Sequence, residues 1–221
     1  MKIALITGGA KRIGKEIALH LSSQGWKIII HYKSSQKDAH YLAKEINGIS
    51  IQADLANPQQ LKEFFNNIDG KIDLLINNAA VFEKTLPGEN FYQKLTDIFS
   101  INLYAPMQLT MDYLSRYSGN IINILDASTE DYSEDFIGYS LSKNALGEFT
   151  RKLAHSDEIK GSRINALALG MCLIKEGQSR EVFDKIAKKY PTLIKDVCQG
   201  IDYILSNKAL NGEILDLTKW N

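Results

Sequence analysis

The stretch that decides the fold covers residues 2–14 and reads Lys2-Ile3-Ala4-Leu5-Ile6-Thr7-Gly8-Gly9-Ala10-Lys11-Arg12-Ile13-Gly14. Residues 2–6 form an apolar run, which is typical of a parallel strand covered on both faces. After the glycine-rich turn, Ile13, Ile17, Ala18 and Leu21 recur at helical spacing. Glycine lets a ligand approach the backbone and a helix N-terminus offers unpaired N–H groups, so strand, turn and helix together predict a phosphate-binding unit. The spacing Thr-Gly-x-x-x-x-x-Gly differs from the plain Gly-x-Gly-x-x-Gly, and the turn alone is weak evidence.

Strand patterns and helix patterns alternate along the whole chain. The predicted strands cover residues 2–6, 28–30, 49–53, 72–76, 120–125, 162–168 and 213–217. After the helix that follows the glycine turn, the predicted helices cover residues 36–46, a segment that begins at Asn57-Pro58, residues 91–114, a segment from Tyr139 to Ala154, and residues 178–190 and 192–206. This alternation, without a linker or an internal repeat, predicts an α/β fold. We expect a single doubly wound Rossmann-type domain over residues 1–221 with a mostly parallel seven-stranded sheet.

Length and composition are those of an ordinary globular protein. The chain has 221 residues, of which 44% are hydrophobic and 24% charged, and its 26 Lys and Arg balance 26 Asp and Glu. This balance provides no basic field for nucleic acid. Cys172 and Cys198 lack metal-ligand spacing, so we expect free thiols and no metal, with a disulfide as the alternative. The glycine turn comes too soon for a signal peptide and no apolar run suits a membrane helix, so we expect a cytoplasmic protein.

The end of the second predicted strand indicates which cofactor the chain prefers. A dinucleotide at the glycine turn places its adenosine ribose near this strand end, where an acidic residue would hydrogen-bond the 2′-OH of NAD. His31, Lys33, Ser34 and Ser35 are found there instead, and Arg12 lies in the turn. Cationic and hydroxyl donors suit a 2′-phosphate, so they favour NADPH over the alternative of a solvated turn with an incidental lysine.

A second cluster of polar residues lies at the end of the fifth predicted strand and in the following helix. Asp126 ends the strand, and Tyr139 and Lys143 are four residues apart, so they share one face of the helix. An ammonium beside a phenol favours the phenolate and lowers the tyrosine pKa from about 10, which makes a proton donor and acceptor for near-neutral pH. Tyr-x-x-x-Lys is common by chance, but here it lies at the sheet edge where such folds bind ligands.

Three further residues are predicted near the same edge of the sheet. Phe82 follows the small residues after the fourth strand and either stacks on a flat substrate or belongs to the core. Asn102 lies among apolar neighbours in a helix, and a buried amide must be paired, either with helix backbone or as part of a proton path. Asp54 either meets an adenine or caps a turn.

Together these pieces resemble the short-chain dehydrogenase/reductase family over nearly the full length of the chain. The matching pieces, in order, are Thr7-Gly8 through Gly14, Asp54-Leu55, Asn77-Asn78-Ala79, Asn102, Tyr139-x-x-x-Lys143 and Arg163-Ile164-Asn165. The resemblance implies hydride transfer with Tyr139 as proton donor, Lys143 lowering its pKa and binding the nicotinamide ribose, and Asn102 supporting a proton relay. The expected cofactor contacts are Gly8, Lys11, Arg12, Ile13, Gly14, His31, Tyr32, Lys33, Ser34, Asp54, Leu55, Asn78, Ala79, Tyr139, Lys143 and Gly170.

One branch of the family, the pteridine reductases, is more similar than the rest. Like that branch, the chain has Asp126 where most members have serine, Arg12 in place of the second glycine of the turn, and a His-Tyr-x-x-Ser run at 31–35. The branch's pterin-stacking aromatic aligns with Phe82. The chain departs from the family in Leu169, where a proline usually precedes the glycine, in the absent C-terminal Asp-Gly-Gly, and in a short region after Gly170, which implies a reduced substrate lid.

These features predict an NADPH-dependent oxidoreductase that reduces a dihydropterin or a dihydrofolate. The predicted catalytic residues are Asp126, Tyr139, Lys143 and Asn102, and the predicted substrate contacts are Arg12, Phe82, Asp126 and Tyr139. The alternatives are an NADPH-dependent carbonyl or 3-oxoacyl reductase and a catalytically silent NADP-binding regulator. By analogy with the family, we expect the long helices that contain Asn102 and Lys143 to assemble a homotetramer or a homodimer.

Overall fold

A seven-stranded parallel sheet forms the centre of the molecule. The structure is a computed structural model that describes residues 1–66, 68–88, 90–131, 134–159, 161–174 and 180–219. The strands are β1 (Ile3–Ile6), β2 (Lys27–Tyr32), β3 (Ile49–Gln52), β4 (Leu74–Asn77), β5 (Asn120–Asp126), β6 (Arg163–Leu169) and β7 (Ile214–Asp216), in the order β3-β2-β1-β4-β5-β6-β7. Every neighbouring pair of these strands is parallel. The predicted doubly wound α/β fold is confirmed.

Helices cover both faces of the sheet. They are α1 (Arg12–Ser23), α2 (Gln36–Glu45), α3 (Pro58–Lys62), α4 (Phe91–Phe99), α5 (Ala105–Arg116), α6 (Ile137–Ala154), α7 (Arg180–Lys189) and α8 (Ile194–Ser206). Ala4 and Ile6 of β1 belong to a core shared with α1, α2 and α8, whereas Leu5 belongs to a second core shared with α5. Burial on both faces explains why the strand is an apolar run without polar alternation.

The helix predicted to begin at Pro58 is shorter than its apolar pattern suggests. Asn57 caps it by accepting hydrogen bonds from two backbone amides, but α3 has only five residues and ends at Lys62. Phe64 and Phe65 are buried in the turn that follows. The apolar spacing of Phe64 and Phe65 therefore reflects their burial in the core and does not indicate a longer helix.

A π-helical turn interrupts the helix predicted over residues 91–114. It covers Ser100–Tyr104 between α4 and α5 and contains Asn102. A π-helical turn inside an α-helix frequently marks a functional position. Of the helix predicted over residues 178–190, α7 covers Arg180–Lys189, and residues 178 and 179 lie outside the described residues.

The strand order reverses between β1 and β4, and this point positions the site. In open α/β sheets, ligands bind in the crevice outside the carboxyl ends of the strands at such a reversal. The glycine turn after β1 and the residues after β4 and β5 all lie at that edge.

Two other properties of the described residues bear on the predictions from composition. Cys172 and Cys198 are free thiols. Among the helices that the structure describes, none has the length and apolar character needed to cross a membrane.

Candidate active site

The glycine turn after β1 packs directly against the end of β4. Gly8 has a φ of +60°, which favours glycine, and a side chain at Gly14 would overlap the Gly8 carbonyl oxygen and lie 2.7 Å from Asn78 Nδ2. Asn78 Nδ2 donates to the carbonyl oxygens of Thr7 and Gly8 at 2.9 and 3.1 Å. Thr7 Oγ1 accepts from the amides of Asn78 and Ala79 at 2.9 and 3.0 Å. The turn and the end of β4 therefore form one tight unit.

The start of α1 provides backbone donors for an anion. Lys11 precedes this helix, and within the described residues its side chain makes no cap hydrogen bond to the first turn. The first amides of a helix lack partners within the helix and carry positive partial charge, so they bind phosphate groups. This turn fits a dinucleotide, because its backbone supplies donors and its glycines let a ligand approach closely.

His31 supports the glycine turn from the end of β2 and is only 2% exposed. Its Nδ1 accepts from the amide of Gly8 at 3.1 Å, and its Nε2 donates to the carbonyl oxygen of Ala53 at 3.0 Å. Burial lowers the pKa of His31 to about 4, against the weaker raising effect of the hydrogen bond to Ala53. The imidazole is neutral at pH 7 and both its nitrogens are used. The prediction that His31 supplies a cationic donor to a phosphate is therefore wrong.

A groove of about 370 Å³ follows the point where the strand order reverses. It is lined by Gly8, Lys11, Arg12, Ile13, Gly14, His31, Lys33, Leu55, Asn78, Ala79, Ala80, Val81 and Ile101. The first ten are predicted cofactor contacts, whereas Ala80, Val81 and Ile101 were missed. Ala80 and Val81 directly follow the Asn77-Asn78-Ala79 motif, so the sequence could have predicted them. Ile101 comes to the groove through the π-helical turn, which has no sequence signal.

Three predicted contacts, Tyr32, Ser34 and Asp54, lie outside the described lining of this groove and of the cavity beside it. Tyr32 is buried in the core, and its hydroxyl lies 3.3 Å from His40 Nε2. Ser34 is exposed beyond the end of β2. The predicted Tyr139, Lys143 and Gly170 line a second cavity instead.

Two lysines of the groove are paired with carboxylates. Lys33 Nζ lies 2.9 Å from Asp54 Oδ2, and Lys11 Nζ lies 3.0 Å from Asp38 Oδ2. The hydrogen bond from Lys33 holds the pKa of Asp54 below its ordinary value. Asp54 Oδ1 also accepts from the amide of Ala56 at 3.0 Å, so Asp54 caps a turn here. Exposed ion pairs contribute little to stability, so both lysines can exchange these partners for a phosphate.

Arg12 binds the segment after β6 and not the end of β2. Its φ is +53°, an uncommon value for a residue with a side chain. Its guanidinium donates to the carbonyl oxygens of Leu173 and Ile174 at 3.0 and 2.8 Å. This differs from the prediction that Arg12 and Lys33 bind the same 2′-phosphate, because the guanidinium donors are directed to backbone carbonyls of the segment after β6.

A carboxylate, a phenol and an ammonium gather at the end of β5 and the start of α6. Tyr139 Oη donates to Asp126 Oδ2 at 2.8 Å, and Asp126 Oδ1 accepts from the amide and hydroxyl of Ser128 at 2.8 and 2.5 Å. Lys143 is 4% exposed, and its Nζ donates to the carbonyl oxygen of Ile124 at 2.8 Å. Burial lowers the pKa of Lys143 to about 8, while the nearby Asp126 carboxylate acts in the opposite direction. Such a group can hold and transfer protons near neutral pH.

Asn102 is fully buried and connects two parts of the site. Its Oδ1 accepts from the amide of Val81, and its Nδ2 donates to the Val81 carbonyl oxygen, both at 2.9 Å. The same Nδ2 donates to Ser142 Oγ at 3.2 Å. The side chain is thus paired with loop backbone and with α6, and it fixes the segment after β4 beside the helix that carries Tyr139 and Lys143.

The second cavity, of about 170 Å³, adjoins the groove. It is lined by Arg12, Ile13, Asn78, Ala80, Phe82, Ile124, Leu125, Asp126, Tyr139, Lys143, Leu169, Gly170, Met171, Cys172 and Leu173. Phe82 stacks on Phe136 with ring centroids 4.5 Å apart and meets Tyr139 edge-on at 4.6 Å. Burial raises the pKa of the Cys172 thiol to about 12, so this thiol is neutral. The cavity therefore places a proton donor, Tyr139, beside an aromatic ring, Phe82.

Comparisons with known proteins agree with this geometry. A family model described as short chain dehydrogenase matches residues 2–183, and the chain belongs to this family of oxidoreductases. The chain is 28% identical to 3-oxoacyl-[acyl-carrier-protein] reductase FabG of Buchnera aphidicola over 97% of this chain and 94% of that protein. It is also 28% identical to dihydromonapterin reductase of an Enterobacter species, over 94% of this chain and 91% of that protein.

Among solved structures, the chain is similar to FolM alternative dihydrofolate reductase 1 from Brucella suis in complex with NADP. The TM-score is 0.88 and the identity 29%, over 100% of this chain and 96% of that chain. The relatives thus divide between reductases of pterins or folates and reductases of 3-oxoacyl groups.

Proposed function

We propose that this protein is an NADPH-dependent reductase of a dihydropterin or a dihydrofolate. The observation that carries the proposal is the 2.8 Å hydrogen bond between Tyr139 Oη and Asp126 Oδ2 in the cavity wall. Reduction of a C=N bond adds a hydride to carbon and a proton to nitrogen, so it needs an acid within reach of the nitrogen. A carboxylate also accepts hydrogen bonds, so Asp126 suits an N–H group of a pterin ring.

The chain's own residues would deliver the proton. Tyr139 donates its hydroxyl proton to the ring nitrogen, or Asp126 supplies it through Tyr139 or a water molecule. Because burial lowers the pKa of Lys143 to about 8, its ammonium can stabilise and reprotonate the phenolate near neutral pH. In the alternative role, Asp126 orients the substrate while Tyr139 is the only donor.

The groove would hold the cofactor, which supplies the hydride when bound. The amides at the start of α1 would bind its pyrophosphate, and Asn78 and Lys143, which line the adjoining cavity, would contact the nicotinamide ribose. Lys11 and Lys33 would exchange their exposed carboxylate partners for a 2′-phosphate. Residues 31–35 include no acidic residue, which favours NADPH over NADH, and the similar Brucella structure contains NADP.

Phe82 would select a flat ring as the substrate. It lines the cavity beside Asp126, and its stack with Phe136 holds its orientation. Aromatic rings prefer offset stacking, so a pterin would lie between Phe82 and the groove. This places the ring edge near Asp126 and Tyr139.

A carbonyl or 3-oxoacyl reductase is the second candidate. Tyr139 and Lys143 serve that chemistry equally well, and the identity with the Buchnera 3-oxoacyl reductase is as high as that with the dihydromonapterin reductase. Asp126 argues against it, since a ketone accepts hydrogen bonds and gains nothing from a second acceptor.

A substrate panel with purified protein tests the proposal. NADPH oxidation is followed by absorbance with dihydrobiopterin, dihydromonapterin and dihydrofolate, and in parallel with keto esters. We expect turnover on at least one pterin or folate. Asp126→Ser should lower that turnover by about 10²-fold, the size of an acid–base contribution, with the affinity for NADPH unchanged.

The matched control is Glu130→Ser, which removes an exposed carboxylate four residues further along the chain. It should retain the wild-type rate. Turnover only on keto esters would contradict the pterin proposal but retain the family chemistry. NADPH binding without turnover on either panel would favour a silent regulator.

A further inference from the structure

Thr85 is a buried polar residue that the proposed mechanism does not use. It is 1% exposed and follows Phe82 in the same loop. Its amide donates to the carbonyl oxygen of Asp135 at 2.6 Å, and its hydroxyl lies 3.3 Å from the same oxygen. Its Oγ1 accepts from the amide of Gly138 at 3.0 Å. The amide and the hydroxyl of Thr85 thus both bind the residues that begin α6.

The hydrogen bond from Gly138 substitutes for an ordinary helix cap. The first amides of a helix have no partner within it, and a polar side chain on the preceding residue usually accepts from one of them. In α6 the preceding residue is Phe136, whose ring makes no such bond to the described residues of the helix. Thr85 supplies the acceptor from 53 residues away in the sequence.

The contact between Thr85 and α6 is also sterically close. A side chain at Gly138 would lie 2.9 Å from Thr85 Cγ2 and 3.1 Å from Leu95 Cδ1. The next residue is Tyr139, whose ring meets that of Phe82 at 4.6 Å. Residues 82–85, here called the Phe82 loop, and the first turn of α6 are therefore joined at both Phe82 and Thr85.

An ion pair beside this contact is a weaker candidate for the same role. Lys84 Nζ lies 2.7 Å from Asp135 Oδ2, and both side chains are more than one-third exposed. Exposed pairs of this kind contribute little. Removal of the Thr85 hydroxyl instead leaves a buried amide without an acceptor, which is costly. The connection between the loop and the helix therefore depends on Thr85.

We propose that Thr85 is a positioning residue that fixes the Phe82 loop against the first turn of α6. It thereby sets the distance between a ring stacked on Phe82 and the hydroxyl of Tyr139. The effect on turnover rests on the proposed function, whereas the effect on the start of α6 does not. Small displacements of a reacting group lower rates steeply, while the glycine turn and the groove stay in place.

The test compares three variants. Thr85→Val removes the hydroxyl and keeps the shape, Thr85→Ser keeps the hydroxyl, and Thr96→Val removes a hydroxyl that donates to the Tyr92 carbonyl oxygen within α4. Each is assayed for kcat and KM on the best pterin, for NADPH affinity by fluorescence, and for hydrogen exchange at the amide of Gly138. Should Thr85→Val not fold, Thr85→Cys takes its place, since a thiol is a weak acceptor.

We expect Thr85→Val to lower kcat by about tenfold or more while the Kd for NADPH stays within about twofold. Exchange at Gly138 should become about fivefold faster, the size of one lost helix cap. Thr85→Ser should restore most of both properties, and Thr96→Val should match the wild type.

The inference would be overturned if Thr85→Val kept the wild-type kcat and the wild-type exchange rate at Gly138. It would also be overturned if Thr85→Ser showed the same loss of kcat as Thr85→Val. An equal loss of NADPH affinity and kcat would also overturn it, because it would indicate general destabilisation. If the wild type reduces no compound of either panel, the proposed function fails. Exchange at Gly138 then decides alone whether Thr85 fixes the start of α6.

Discussion

The groove and the cavity each have a buried basic side chain, His31 beside the groove and Lys143 in the cavity wall. Burial leaves these two side chains in different charge states. Desolvation lowers the pKa of His31, next to the glycine turn, to about 4. It lowers the pKa of Lys143, beside the cavity, to about 8. At pH 7 the imidazole is therefore neutral, whereas most Lys143 side chains remain charged. The groove is supported by a neutral group and the cavity by a cation.

Hydrogen-bond partners explain why each charge state suits its place. The amide of Gly8 requires an acceptor and the carbonyl of Ala53 a donor, and the neutral imidazole provides both. The ammonium of Lys143 instead donates to the carbonyl of Ile124 and lies near the carboxylate of Asp126. A region that only binds can use neutral groups, whereas one that moves protons needs a pKa near the operating pH.

The largest effect is expected from Tyr139→Phe, which should separate chemistry from binding. The variant loses the proton donor but leaves the groove unchanged, so kcat should fall by about 10³-fold. The Kd for NADPH, measured by fluorescence titration, should stay near the wild-type value. Tyr92→Phe, on the exposed surface of α4, is the control. Full activity of Tyr139→Phe would contradict the mechanism.

A smaller effect is expected from Lys143→Met, which exchanges the buried cation for an apolar side chain. The pKa of Lys143 is lower in the folded than in the unfolded chain, so burying its charge costs stability in full below about pH 8. The cost disappears as the pH rises from about 8 toward 10.5. Lys143→Met should therefore unfold with a free energy about 1–3 kcal/mol above wild type at pH 7, while losing activity.

Urea unfolding of both proteins at pH 7, 8.5 and 10 measures this difference. It should shrink as the pH rises from about 8, because the folded wild-type chain then loses the proton of Lys143 and no longer buries a charge. If the difference is constant with pH, or if the variant is less stable than wild type at pH 7, burial does not lower the pKa of Lys143.

The third effect, on stability alone, is expected from His31→Gln, which keeps a donor and an acceptor but cannot titrate. The pKa of His31 is about 4 in the folded chain and about 6.5 in the unfolded chain, so the wild type loses stability as the pH falls through this window. Between pH 7 and pH 5 the wild type should lose about 2 kcal/mol more than the variant. Parallel curves from urea unfolding across this range would indicate that His31 is already charged when folded.

The sequence alone determined the fold and predicted Phe82, Asp126, Tyr139 and Lys143, which line the cavity. Apolar runs, the glycine spacing and the four-residue separation of Tyr139 and Lys143 are local signals, because each depends on the period of one strand or helix. Asp126 was predictable because it ends a strand, and Phe82 because it lies in the loop after another strand, both at the edge where this fold binds ligands.

Only the tertiary structure decided the charges and partners of these residues. His31 lies at the end of β2 near Lys33, as a phosphate-binding cation would, but packing against Phe64 and bonding to Gly8 and Ala53 make it a neutral support. Arg12 binds carbonyls more than 160 residues further along the chain, and Thr85 caps a helix 53 residues away. Such contacts join distant segments and leave no periodic pattern, and a pKa depends on the whole set of groups that exclude water from a side chain.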